Sequence, residues 1–141
     1  GGLAVTEVGG GSYSALYVPV HSGSDAVGIQ VNGVTLAGSP FTSIVAPGPS
    51  DPAHSTAEVT ATPTVFYFTI RIVVTARDAQ GNPTGVGGDR VQLAIDGAPP
   101  AAAADNGNGT YSAEFISFSP NHTVAITLND SPIQGSPYTT P

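Results

Sequence analysis

The sequence predicts an all-β chain that contains one complete β-sandwich and part of a second. Three observations lead to this prediction. Apolar and polar residues alternate along short segments, 18 Gly and 13 Pro interrupt those segments, and two stretches of sequence recur about 97 residues apart. Alternation with a period of two is typical of strands with one buried face, and Gly and Pro favour turns between them. No segment shows a convincing helical period.

The recurring stretches define the size of the repeating unit. Residues 11–17 (GSYSALY) match residues 109–115 (GTYSAEF), and residues 38–42 (GSPFT) match residues 135–139 (GSPYT). The two offsets are 98 and 97 residues. Solenoid repeats are shorter, at about 20–50 residues, so this period indicates a whole domain. The chain is therefore predicted to be an excerpt from a tandem array of small domains.

The period divides the chain into a partial repeat and a complete one. Residues 1–46 are predicted to be the C-terminal part of one repeat, and residues 47–141 a complete repeat that includes its Pro-rich linker. The linker lies at Ala46–Pro52, and its prolines make it semi-rigid.

Four segments of the complete repeat have the alternating pattern. The longest runs from Phe66 to Ala76, where Phe68, Ile70, Ile72, Val74 and Ala76 share one face. The other inward-facing sets are Val91/Leu93/Ile95, Tyr111/Ala113/Phe115 and Val124/Ile126/Leu128. The last two recur at matching positions of the partial repeat, as Tyr13/Ala15/Tyr17 and Val27/Ile29/Val31. Tight hairpin turns are predicted at Asn32-Gly33 and Asn129-Asp130, because these residues tolerate positive φ.

At these residues the chain resembles the filamin-type immunoglobulin-like repeat. That family carries an Asn-Gly-Asp-Gly-Thr-Tyr-like turn before a strand and closes with Gly-Ser-Pro-Phe; the matching segments here are Asn106–Tyr111 and Gly135–Tyr138. The Gly-Pro-Gly-Leu segment typical of the first strand in animal filamins is missing between Ser55 and Pro63. The chain therefore resembles a divergent branch, such as the filamin-like domains of algal and plant gamete-surface proteins.

The resemblance implies tandem seven-stranded immunoglobulin-like sandwiches, with strands A to G. Residues 1–45 would then supply only strands D to G of the preceding repeat. Without strands A to C, that repeat would expose unpaired edges and half a core, so we expect these strands in the parent protein. In the complete repeat the implied strands are B (Phe66–Arg77), C (Arg90–Asp96), D (Ala101–Ala104), E (Thr110–Ile116), F (Thr123–Asn129) and G around Tyr138.

Composition excludes several classes of partner. The chain has ten acidic residues, three Arg and no Lys, which give a formal net charge of −7. Nucleic acid is excluded because its binding requires a basic surface, and direct membrane insertion of this segment is not expected. The absence of Cys removes disulfides, thiol nucleophiles and Cys-based zinc sites.

No enzyme activity and no cofactor are predicted. The histidines His21, His54 and His122 lack metal-ligand spacing and are expected to be solvated loop residues. The segment Asp105–Glu114 fails as a calcium loop, because Gly107 and Gly109 stand where that motif needs Asp or Asn. No Gly-x-Ser-x-Gly elbow is present, so a catalytic triad has no basis in the sequence.

Two kinds of site are predicted instead. The first is N-glycosylation at Asn121, Asn108 or Asn129; Asn121 is the best candidate, because turns account for the other two. A glycan at Asn121 would place the chain outside the cell. The second is a partner-strand edge beside strands C and D, where a peptide strand or a neighbouring repeat could bind. Its predicted residues are Gln92, Ala94, Asp96, Ala102 and Ala104.

The function predicted from these features is a non-catalytic structural and protein-interaction module of a multi-repeat cell-surface adhesion protein. A cytoplasmic or ciliary filamin-like scaffold is the alternative, and an accessory module of a secreted enzyme is the third. The acceptor sites and the departures from animal filamins favour the cell surface. The aromatic side chains of the two recurring stretches alternate inward, so they offer no platform for sugar stacking.

Overall fold

The computed structural model describes residues 2–140. These divide into two compact units with the boundary between Val45 and Ala46, and we call residues 2–45 the partial unit and residues 46–140 the complete unit. Every regular element in the described residues is a β-strand, which confirms the all-β prediction. Along residues 2–140, no helix is long and apolar enough to cross a membrane.

The complete unit is a sandwich of two antiparallel sheets. Its strands are β7 (Thr56–Pro63), β8 (Phe68–Thr75), β9 (Val91–Ile95), β10 (Ala101–Ala102), β11 (Ala104–Asp105), β12 (Thr110–Ser117), β13 (Thr123–Leu128), β14 (Ser131–Pro132) and β15 (Tyr138–Thr139). One sheet has the strand order β11–β12–β8–β7, and the other has the order β10–β9–β13–β14, with β15 also paired to β13. Strands β8, β9, β12 and β13 correspond to the predicted B, C, E and F, and β7 takes the place of strand A.

The core lies between these two sheets, and nearly all of its residues are ones that alternation predicted to face inward. Ile133 is buried although no alternating segment contained it, and the predicted residues Phe68, Ile95 and Phe115 are only partly buried. On β8, Ile70, Ile72 and Val74 are fully buried, whereas Arg71 between them is exposed. Strands β9, β12 and β13 also contribute buried residues, whereas β7 contributes only the partly buried Ala57 and Val59. The central cluster contains Ile72, Val74, Ala76, Val91, Leu93, Tyr111, Val124, Ile126, Leu128 and Ile133.

The segment predicted to be a single strand D, Ala101–Ala104, is divided between the two sheets. Ala101 and Ala102 form β10 and pair with β9, whereas Ala104 pairs with Ser112 of β12 in the other sheet. The prediction of one strand D is therefore wrong. Four identical small residues carry no alternation, so the sequence could not reveal where the chain changes sheet.

The partial unit consists of three separate antiparallel pairs. The pairs are β1–β2, β3–β6 and β4–β5. Their bounds are β1 (Val5–Gly9), β2 (Ser12–Ala15), β3 (Gly23–Val27), β4 (Gln30–Val31), β5 (Val34–Thr35) and β6 (Phe41–Val45). The large apolar side chains of this unit are mostly exposed, so these pairs enclose no core of their own among the described residues.

Candidate functional site

The outer edge of β9, covered by β10, is where the sequence predicted a partner strand; we call it the C edge. Strand β10 has only two residues, with Ala101 opposite Leu93 and Ala102 opposite Gln92. The next residue, Ala103, donates its backbone N–H to the Val91 carbonyl at 3.0 Å. The C edge is therefore covered, but by a very short stretch of backbone pairing.

Three of the five predicted edge residues lie together. Gln92 and Ala94 alternate with buried Val91 and Leu93, so their side chains point away from the core. Ala102 is directly opposite Gln92 and shares this outer face.

The other two predicted residues lie elsewhere. Ala104 belongs to the opposite sheet, through its pairing with β12. Asp96 follows the end of β9 with a positive φ of 51°, and its carboxylate is directed toward the loop between β12 and β13. The C edge proper therefore comprises Gln92, Ala94 and Ala102 of the predicted set.

Asp96 forms a polar cluster with His122 and Ser117. Its carboxylate accepts the Thr123 backbone N–H at 2.8 Å and lies 2.6 Å from His122 Nδ1. These two hydrogen bonds lower the pKa of Asp96 below its usual value, the one from Thr123 having the larger effect. His122 Nε2 lies 2.8 Å from Ser117 Oγ, and the ring packs edge-to-face on Phe115 with centroids 5.4 Å apart.

His122 is therefore not the solvated loop residue that the sequence suggested. Its side chain is only 13% exposed and connects the loop before β13 to the turn after β9. No sequence motif indicates this pairing, because Asp96 and His122 are 26 residues apart. Only the antiparallel pairing of β9 with β13 brings the two residues together.

The order Ser–His–Asp invites comparison with a catalytic triad, but the contacts favour a structural role. In a triad the Nε2 atom must accept the serine proton. Here His122 Nε2 lies 3.1 Å from the Ser119 carbonyl oxygen as well as 2.8 Å from Ser117 Oγ, so both contacts tie the ring to residues 117–119. The Ser119 N–H in turn donates to Ser117 Oγ at 3.1 Å. These contacts let the cluster hold the loop in place.

A second polar cluster attaches the linker to the complete unit. Asp78 is 98% buried and accepts hydrogen bonds from the backbone N–H groups of Gly48, Gln80 and Asn82 at 2.8–3.0 Å, and from the Asn82 side-chain amide. Burial raises the pKa of Asp78, but the hydrogen bonds, from the Asn82 side chain first, outweigh it and lower the pKa to about 2. The linker prolines alone did not indicate this attachment.

A third set of contacts holds the segment that follows in the linker. Asp51 donates its backbone N–H to the Arg77 carbonyl at 2.6 Å, and the Arg77 N–H donates to Ser55 Oγ at 3.0 Å. Ser55 is fully buried. Hydrogen bonds therefore hold the linker at Gly48 and Asp51, and Ser55 just after it, against residues 77–82.

The hydrogen bonds to Asp78, which we call the Asp78 clamp, are expected to make the free energy of unfolding depend on pH in acidic solution. The folded pKa of Asp78, about 2, lies below its unfolded value of about 3.9, so its stabilisation is fully present above pH 4 and is lost as pH falls toward 2. Asp78→Asn should therefore lower the melting temperature clearly at pH 7, and the gap to wild type should narrow between pH 4 and 2.

Circular dichroism melts across this pH range measure the gap. Glu58→Gln is the control. Glu58 is exposed on β7, so this substitution removes one carboxylate without changing the hydrogen bonds to Asp78. A gap between wild type and Asp78→Asn that stays constant from pH 7 to pH 2 would contradict the expected linkage.

The predicted glycosylation residues differ in their surroundings. The Asn129 side-chain amide donates to Asp89 at 2.8 Å, and its oxygen accepts the Arg90 N–H at 2.9 Å. The Asn108 oxygen accepts the Thr110 N–H at 3.1 Å within its turn. Asn121 is exposed. Glycosylation stays a prediction, with Asn121 the residue whose amide has the fewest competing contacts.

The described residues contain no group of three or more His, Asp and Glu side chains placed to hold a metal ion.

Comparison with protein families gives a match over residues 47–137 to the family model described as invasin, domain 3. This is an immunoglobulin-like, adhesion-related and non-catalytic type of module, and the match supports the immunoglobulin-like fold without singling out filamins. Because the match covers most of the 141 residues, the chain belongs to the invasin domain 3 family.

Proposed function

We propose that this chain is a structural and protein-binding part of a multi-repeat adhesion protein at the cell surface. The observation that carries the proposal is the match to an adhesion-related module over residues 47–137. The repeat near 97 residues supports a tandem array, and the motifs at residues 106–111 and 135–138 support a filamin-like origin of the units. Hydrogen bonds at Gly48 and Asp51 hold the linker against residues of its own unit.

The C edge is the binding surface in this proposal. A partner strand would replace β10 and pair with the backbone of β9, as in other examples of strand addition. Little has to be displaced, because β10 pairs through two residues only and Pro99-Pro100 before it have no N–H to donate. Gln92 and Ala94 would flank the incoming strand, and their modest size leaves room for larger partner side chains.

A reversible covalent lock on the C edge tests the proposal. Gln92 and Ala102 are directly opposite, one step from the hydrogen-bonded Val91–Ala103 pair, so they form a close non-hydrogen-bonded pair. The chain has no cysteine, so Gln92→Cys with Ala102→Cys adds a single possible disulfide. Beads coated with wild-type chain should adhere to cell layers or immobilised matrix proteins. Oxidation of the double variant should lower adhesion about tenfold, because β10 can no longer leave.

Two controls separate the possible results. Reducing the disulfide should restore adhesion, and Thr62→Glu, a charge added to the other sheet, should leave it unchanged. Equal adhesion of the oxidised and reduced forms would contradict binding at the C edge. Adhesion of wild-type beads no greater than that of albumin-coated beads would contradict the adhesive function itself.

A further inference from the structure

A tight turn connects β9 to the segment that covers it. Asp96 and Gly97 have positive φ values of 51° and 77°, and the Ala98 N–H donates to the Ile95 carbonyl at 2.9 Å. Positive φ at both central residues is the requirement of a type I′ turn. We call residues 95–98 the C–D turn. It reverses the chain, so that β10 runs back along the C edge.

The C–D turn and β10 are joined by a segment that cannot pair. The turn pairs Ile95 with Ala98. Strand β10 pairs Ala101 with Leu93, which is one residue out of register with the turn. Residues 99–100, both Pro, absorb this shift and have no N–H to donate to β9. The covering strand is therefore held at two places, its own short pairing and the C–D turn.

The Asp96 side chain fastens the C–D turn to β13. The Asp96 N–H donates to the Thr123 carbonyl at 2.8 Å, which adds one backbone bond beyond the end of β9. In a continuing antiparallel pair, the Thr123 N–H would donate to the Asp96 carbonyl. It donates instead to Asp96 Oδ1 at 2.8 Å. The carboxylate therefore lets the chain turn away from β13 without leaving the Thr123 N–H unpaired.

His122 contacts the other oxygen of the same carboxylate. Its Nδ1 lies 2.6 Å from Asp96 Oδ2, and its Nε2 contacts the Ser117 hydroxyl and the Ser119 carbonyl. The ring also packs edge-to-face on Phe115. One histidine therefore connects the C–D turn to the end of β12.

We propose that the Asp96–His122 contact controls how readily β10 leaves the C edge. While the contact is intact, the C–D turn returns the chain along β9 and keeps the two-residue strand at its place. Breaking the contact loosens the turn, so β10 must close on β9 from a less ordered connection, which costs conformational entropy. A partner strand then displaces β10 more easily. This inference rests on strand addition at the C edge, the binding mode of the proposed function.

The charge of His122 makes this control depend on pH. Hydrogen bonds from Thr123 and His122 lower the pKa of Asp96, so its carboxylate is ionised well below neutral pH. Histidine side chains ordinarily change charge between about pH 5 and 8. A protonated ring forms a stronger, charge-assisted hydrogen bond to a carboxylate than a neutral ring does. The contact should therefore be stronger at pH 5.5 than at pH 8, and β10 should be held more tightly at the lower pH.

Asp96 is the group that responds to this charge. Among residues 2–140, it is the only ion-pair partner of His122. Glu114 is the acidic residue of β12, but it is exposed and has the opposite parity to Phe115, so it points to the outer face of its sheet. The other residues that line the shallow pocket beside His122 are uncharged, namely Asn121, Thr123, Thr139 and Thr140.

Hydrogen exchange of the Ala103 amide tests the proposal, because this N–H donates to the Val91 carbonyl across the C edge. Amides of β8, which is paired on both sides, report the stability of the whole unit in the same sample. In Asp96→Asn, the protection of Ala103 should fall about tenfold relative to β8. Asparagine tolerates positive φ and keeps an oxygen for the Thr123 N–H, so this variant removes the charge and little else.

The pH profile separates this role from simple structural support. After correction for intrinsic exchange, Ala103 of the wild-type chain should be about fivefold more protected at pH 5.5 than at pH 8. In Asp96→Asn and in His122→Gln, its protection should be the same at both pH values. Glu114→Gln, which removes a carboxylate outside the contact, should keep the wild-type profile. Beads coated with Asp96→Asn should adhere more strongly than wild-type beads at pH 5.5, because their C edge opens more easily.

Three results would overturn the proposal. One is equal protection of Ala103 in the wild-type chain and in Asp96→Asn, and another is a loss at Ala103 that is matched by an equal loss across β8. The third is a wild-type profile that does not differ between pH 5.5 and pH 8. The exchange measurement uses no partner, so a failure of wild-type beads to adhere would reject the proposed function and leave the result at Ala103 standing.

Discussion

Replacing Ile72 with alanine is expected to cost about 2–5 kcal/mol of unfolding free energy. Ile72 is fully buried at the centre of β8, where it belongs to the cluster that joins the two sheets. Removing its side chain beyond Cβ leaves a cavity, because strand pairing on both sides of β8 holds the backbone and limits collapse. Since small domains have about 5–15 kcal/mol of stability in total, much of the margin would be lost.

Urea unfolding followed by circular dichroism measures this loss, and Ile116→Ala is the matched control. Ile116 lies on the neighbouring strand β12, but its side chain is 62% exposed and points away from the core. Its truncation should change the unfolding free energy by no more than about 0.5 kcal/mol. Equal losses in the two variants would contradict the core as described.

Alternation predicted the sandwich because burial differs between the two faces of each long strand. The strands that it identified are the ones in which inward branched or aromatic residues alternate with Arg, Thr, Gln or Glu, as in β8 and β12. Every fully buried residue of the central cluster on those strands has the predicted parity. A long strand in a two-layer fold therefore leaves a readable pattern in the sequence.

Alternation does not predict the structure where successive side chains have the same size and polarity, or where the partner of a residue is distant in the chain. Ala101–Ala104 changes sheet inside a run of identical residues, so no parity could mark the switch. His122 finds Asp96 through the pairing of β9 with β13, and Asp78 binds the linker 30 residues earlier. Only the three-dimensional structure could reveal these contacts.

At the C edge, alternation predicted the orientation of the side chains correctly but not the end of the strand. Strand C was predicted as Arg90–Asp96 and is observed as Val91–Ile95, so Gln92 and Ala94 lie on the outer face as their parity indicated. Asp96, with the same parity, falls in the turn beyond the strand and takes part in the His122 cluster. Parity alone does not say where a strand ends.

Gly109→Ala is expected to be the second strongly destabilising substitution, with Gly107→Ala as its matched control. Both glycines have a φ of +76°, which alanine adopts at a cost of about 1–2 kcal/mol. They differ in space: a Cβ at Gly107 meets nothing within 4 Å, whereas one at Gly109 would lie 2.7 Å from Thr84 Oγ1 and 2.8 Å from the Gly85 nitrogen. Overpacking of this kind adds about 1–3 kcal/mol.

The clash at Gly109 is hard to relieve because hydrogen bonds fix the backbone on both sides of it. The Gly109 carbonyl accepts the Ala76 N–H at 2.9 Å, and the Ala76 carbonyl accepts the Thr84 N–H at 3.0 Å. Moving Gly85 away would strain the second bond, and moving Gly109 would strain the first. In urea unfolding, Gly109→Ala should therefore lose clearly more stability than Gly107→Ala. Equal losses would mean that backbone strain alone decides both positions, and that the turn before β12 can move away from the connection between β8 and β9.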